Sequence, residues 1–86
     1  MDIQIGIVTR YYDALHIAVV EVLNQTLKVG DKVKISGLHH EFVQDVVSLQ
    51  VEYKAVTEVA VGEVCGLLVD KPVEVGDVLF LLTRAV

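Results

Sequence analysis

Eighty-six residues leave room for one hydrophobic core and exclude a second domain with a cleft of its own, so 1–86 reads as a single domain. Hydrophobic residues make up 53% of the chain and aromatics 6%, with valine the main excess, and that β-branched bias points to sheet. Twelve acidic against seven basic side chains give a net charge of −5, which opposes non-specific binding to nucleic acid outside a local basic patch.

In chain order, Ile3 to Arg10 opens with apolar alternation and reads as a first strand, closed by Tyr11 and Tyr12 at a turn. Leu15 to Leu23 is apolar on both faces, with Ile17 and Val19 on one side and Ala18, Val20 and Val22 on the other. Such a strand has one face on the core and the other covered or used for association. Lys32 to Ile35 alternates strictly, placing Val33 and Ile35 inward and Lys32 and Lys34 outward. Phe42 to Lys54 reads as one long strand, with Val43, Val47, Leu49 and Val51 on one face and Gln44, Val46, Ser48, Gln50 and Glu52 on the other. Glu63 to Asp70 and Val78 to Arg84 complete the set, separated by Pro72.

Two segments repeat a pattern. Leu27-Lys28-Val29-Gly30-Asp31 and Val73-Glu74-Val75-Gly76-Asp77 both end in Val-Gly-Asp and lead at once into alternating strands, and Val61-Gly62-Glu63 is a partial third copy. The physical content is a turn in which glycine supplies backbone freedom and the carboxylate bonds nearby amides. About six strands with short turns and no helical stripe predict an all-β fold, a small six-stranded Greek-key β-barrel in which closure protects the edges.

The ordered set Gly6-Ile7-Val8, Ala18-Val19-Val20, Leu27-Lys28-Val29-Gly30-Asp31, Val46 to Gln50, Gly62 to Gly66 and Gly76 to Leu79 resembles domain two of translational GTPases of the elongation factor Tu type. Ile35-Ser36-Gly37 and the Phe42 to Gln50 segment also resemble stand-alone elongation-factor-like proteins that consist of this barrel alone. The resemblance implies the barrel and a binding role in or near translation, through RNA or protein. It implies no nucleotide chemistry, because the chain holds no Gly-x-x-x-x-Gly-Lys-Ser/Thr loop.

Three surfaces are candidate sites. Lys28, Lys32 and Lys34 form a possible basic stripe for RNA or another anion, with protection of a strand edge as its plainer reading. Arg10, Tyr11 and Tyr12 combine a cation with rings that stack on a base or a protein, or else close the barrel end. Gln44, Ser48 and Gln50 place amides and a hydroxyl on one face of the long strand, for a partner or for cross-strand bonds.

His39, His40 and Glu41 are poor metal ligands as adjacent strand residues and read as exposed loop residues. Cys65 reads as a small buried hydrophobe. No nucleophile elbow sets a hydroxyl beside a histidine, so the expectation is a non-catalytic binding module with no cofactor and no metal. The alternative is a structural or accessory module that forms a homo-oligomer or docks on a larger enzyme, favoured by the apolar content. The start, Met1-Asp2-Ile3-Gln4, lacks a secretory pattern and no apolar run reaches membrane length, which places the chain in the cytoplasm by expectation.

Overall fold

Alternation of β-branched residues governs the architecture of the computed structural model, which describes residues 3–83. Strands β1 (Ile3–Tyr12), β2 (Ile17–Val22), β3 (Leu27–Lys28), β4 (Lys32–Ser36) and β5 (Glu41–Asp45) are followed by β6 (Leu49–Val51), β7 (Lys54–Val56), β8 (Glu58–Val59), β9 (Val64–Leu68) and β10 (Val78–Thr83). Eight of them form one sheet in the order β5-β4-β10-β1-β2-β9-β6-β7, antiparallel throughout, and β3 pairs with β8. One 3-10 turn, Asp13–Leu15, joins β1 to β2. No helix among the described residues is long and apolar enough to cross a membrane.

The all-β expectation holds, whereas the described ladder leaves β5 and β7 as edges and does not close on itself. The sheet nevertheless curls. Pairing register slips in β1 between Gln4 and Gly6 and again between Val8 and Arg10, and in β10 between Leu81 and Thr83. Each bulge bends its strand and increases the local twist. Gly6 sits at the first of them, where a Cβ would lie 2.6 Å from Val20 Cγ1, so the close approach of β1 to β2 requires glycine. The concave face holds the core, in which Ile5, Val20, Val22, Leu27, Val33 and Leu67 are fully buried.

The Val-Gly-Asp repeat is a structural repeat. In the 28–31 turn Gly30 has φ 97°, Asp31 N–H donates to Lys28 O (3.1 Å), and Asp31 Oδ2 accepts from Lys28 N–H (3.0 Å). The 74–77 turn matches it: Gly76 has φ 95°, Asp77 N–H donates to Glu74 O (3.1 Å), and Asp77 Oδ2 accepts from Glu74 N–H (2.9 Å). Positive φ at the third position is the reason glycine stands there.

Each turn also seats one buried valine by a reciprocal pair of backbone bonds. Gly30 N–H donates to Val46 O and Val46 N–H to Asp31 O, while Gly76 N–H donates to Val8 O and Val8 N–H to Asp77 O, all at 2.8 Å. The third copy does the same, with Gly62 N–H on Val22 O (2.8 Å) and Val22 N–H on Glu63 O (3.0 Å). Three turns thereby clamp β1, β2 and the chain leaving β5 by one device.

The long strand expected over Phe42 to Lys54 is three short ones. Val46 to Ser48 leave the ladder because Val46 is held by the 28–31 turn, and the phase of alternation flips across the break. Phe42, Gln44 and Val46 point inward with Val43 and Val47 outward, and then Leu49 points inward. A two-residue hairpin at Glu52-Tyr53 ends β6, both residues having positive φ (52° and 67°). The final strand was expected to reach Arg84, which lies outside the described residues.

Candidate functional site

The strand with two apolar faces builds the surface of greatest interest. Along β2, Ala18, Val20 and Val22 are fully buried, while Ile17 and Val19 point to the convex side and stay half-buried. Pairing puts Tyr12 of β1 and Leu68 of β9 beside Ile17, Gly66 beside Val19, and Gln50 of β6 beside Gly66. A groove of about 400 Å³ runs over this face.

Ile17, Val19 and Val64 provide its apolar floor, with Cys65 and Gly66 beneath them; Tyr12 and Leu15 stand on one side, and Gln50, Glu52 and Tyr53 on the other. Gly66 keeps the floor low, since a Cβ there would press on Ile17 Cγ2 at 3.1 Å. Leu15 is 61% exposed and Tyr53 98% exposed, so large apolar side chains meet water at both walls. Contiguous exposure of this kind marks an interaction surface.

Cys65 also lines the groove, as a thiol that keeps its proton. Burial first, and the charge of Glu63 second, push it up to about 11 from its ordinary 9.0. Below pH 9 the folded and unfolded chains both keep this proton. Between about 9 and about 11 the unfolded chain releases it and the folded chain does not, so stability falls as pH rises through that window. The expected loss is about 2 to 3 kcal/mol. Urea unfolding across this range checks it, because Cys65→Val removes this part of the slope.

The residues singled out from the sequence are scattered. Lys28 lies opposite Glu58 in the β3–β8 pair, Lys32 Nζ is 3.8 Å from Asp45, and Lys34 Nζ is 3.6 Å from Glu41. The stripe exists, but an acid across each strand pair answers each lysine, so it presents little net positive field. Tyr11 and Tyr12 part company. Tyr11 packs against the core, and loss of water, then the charge of Asp13, raises its phenol above the ordinary value. Tyr12 faces out at the groove, where Arg10 donates to its hydroxyl (3.2 Å) and lies 5.9 Å from the ring centroid.

Gln44, Ser48 and Gln50 do not share a face, because the break after β5 separates them. Gln44 is 3% exposed, and its amide donates to Leu68 O (2.9 Å) and accepts from Asp70 N–H (2.9 Å), strapping the β5 edge to the chain leaving β9. Ser48 sits in the connection, where its carbonyl takes a bond from Leu68 N–H (3.4 Å). Gln50 alone reaches the groove.

The adjacent histidines, expected as exposed loop residues, both dock on the 74–77 turn. Exposed His39 Nδ1 is 3.2 Å from Glu74 Oε1, and part-buried His40 Nε2 is 2.5 Å from Asp77 Oδ2. Leu15 of the groove stood in the segment read as covered or used for association, whereas Glu52 and Tyr53 escaped the sequence reading as site residues. Their turn carries no Gly or Asn, the usual signal for a two-residue hairpin.

The groove and the curled antiparallel sheet together define an all-β domain whose distinctive surface is an apolar groove on its convex face. No protein-family model matches the sequence, and no curated protein matches it. Among solved structures, the C-terminal domain of a candidate U32 peptidase from Geobacillus thermoleovorans is similar to it, with a TM-score of 0.86 and 18% identity, covering 93% of this chain and 92% of that one. The selenomethionine form of the same domain gives a TM-score of 0.84 and 19% identity over 90% of this chain and 96% of that one.

At such identity the likeness establishes fold alone. These findings overturn the resemblance to translational GTPases and to elongation-factor-like proteins, and with it the translation role. The motifs behind that resemblance are turn glycines and core valines, which set a fold and carry no function.

Proposed function

We propose that this domain is a non-catalytic accessory module that docks on a larger protein through the groove over β2 and β9. The observation that carries the reading is that groove: an apolar floor two strands wide, walled by exposed Leu15 and Tyr53, on a strand whose other face is already in the core. Similarity to a C-terminal domain, which by description is one part of a longer protein, supports an accessory role. A buried thiol held protonated and histidines tied to turn carboxylates support a non-enzymatic one. We also propose that the curled sheet acts as a small, partly open barrel, supported by the Gln44 strap from the β5 edge to the end of β9.

Leu15 and Val64 are both at least half exposed, so a charge at either costs the free domain little. A tagged chain purified from its own cells is expected to retain one partner protein in stoichiometric amount. Leu15→Asp and Val64→Asp should each release it, and Val43→Asp, on the exposed face of β5, should not. Retention by both groove variants, or a chain that only self-associates in light scattering, would overturn the proposal.

A further inference from the structure

Resting on the docking reading, we infer that the groove selects a cationic segment of its protein partner: a lysine or arginine side chain flanked by aliphatic residues. The floor of Ile17, Val19 and Val64 takes the aliphatic part. Charge complementarity fixes the rest. Among the described residues lining the groove, Glu52 is the one charged side chain, and it makes no ion pair with a described residue.

Further carboxylates adjoin the rim. Asp13 follows Tyr12, Glu63 precedes Val64, and Glu21 continues the outward row of Ile17 and Val19 to stand opposite Val64. Of the nearby cations, Arg10 is engaged by the hydroxyl and ring of Tyr12, and Lys54, which follows Tyr53, pairs with Val51 out of phase with Gln50 of the groove. An anionic segment would meet repulsion here, and a cationic one meets carboxylates and the exposed ring of Tyr53.

The backbone adds an independent observation. Glu52 and Tyr53 occupy the left-handed region consecutively, a conformation that disfavours side-chain-bearing residues and that Asn-Gly would adopt without strain. The strained turn is the one that sets the unpaired carboxylate and the 98% exposed ring at the groove's edge. Strain retained at such a position is a mark of binding sites.

Three capped tripeptides test the inference: acetyl-Leu-Lys-Leu-amide, its norleucine analogue, which keeps the chain length without the charge, and its glutamate analogue. Amide chemical shifts of Val64, Gly66 and Tyr53 are followed by NMR titration. The lysine peptide is expected to move them and to bind about tenfold more tightly than the norleucine peptide at low salt. That advantage should shrink at about 0.5 M salt, and the glutamate peptide should bind least.

Glu52→Gln, which leaves the demand on the turn unchanged, should erase most of the lysine advantage without altering norleucine binding. Equal affinity for lysine and norleucine peptides, or no shift at the groove from any of them, would overturn the inference. Docking itself would still stand if Leu15→Asp and Val64→Asp release the partner, so the two readings fail separately.

Discussion

Gln44→Ala is expected to lower the stability of the domain by about 3 kcal/mol, a fall in melting temperature of roughly 15 °C for a chain of this size. The side chain is buried and replaces a missing stretch of ladder. Its amide donates to Leu68 O and its oxygen accepts from Asp70 N–H, each at 2.9 Å. Truncation leaves both backbone groups without that partner and opens a void behind β5, and unsatisfied groups in such places cost about 1 to 3 kcal/mol apiece. Gln44→Met fills the space without the bonds and should recover less than half of the loss. Thermal unfolding followed by circular dichroism reads both variants, and a loss below about 1 kcal/mol for Gln44→Ala would show that the strap does not hold the edge.

Asp77→Ala should cost a similar amount, about 3 kcal/mol. One buried oxygen, Oδ2, accepts from Glu74 N–H at 2.9 Å and meets His40 Nε2 at 2.5 Å, so the same carboxylate caps its own turn and anchors the β4–β5 hairpin. The site has no slack, because a Cβ on Gly37 would run into that carboxylate. Asp31 caps the equivalent 28–31 turn through Lys28 N–H, while His40 is held by Asp77. In a double-mutant cycle, His40→Ala and Asp77→Ala should therefore couple by about 1 to 3 kcal/mol, whereas His40→Ala and Asp31→Ala should be additive. Denaturant unfolding of the single and double variants measures both couplings.

Those two residues show where the sequence was legible. The Val-Gly-Asp turns were readable because glycine at positive φ and a capping carboxylate leave a local signature, and the structure adds that each turn seats a buried valine from a distant segment. The two-faced apolar character of Ile17 to Val22 was readable for the same reason, since alternation is local and both faces were apolar. The segment from Phe42 to Lys54 was not. It contains no Gly or Pro, and the force that breaks it comes from the 28–31 turn, which captures Val46 from outside the window.

Once the phase flips, Gln44 moves inward and its chemistry turns from recognition to structure, while Gln50 stays at the surface. Glu52-Tyr53 was invisible as a turn because its residues resist the backbone they adopt. The lysines were placed correctly on outward faces, but the acids that answer them lie across strand pairs that a one-dimensional pattern does not define. The likeness to translational factors failed for a related reason: turn glycines and apolar core positions are what small curled sheets share.

Amide hydrogen exchange of the chain, alone and with the partner it retains, tests docking through the groove most directly. Protection is predicted to rise across Val64 to Leu68 and Gln50 to Lys54, with the β4–β5 hairpin and its lysines unchanged. Protection gained along Lys32 to Asp45 with none at β9 and the Glu52-Tyr53 turn would contradict the account.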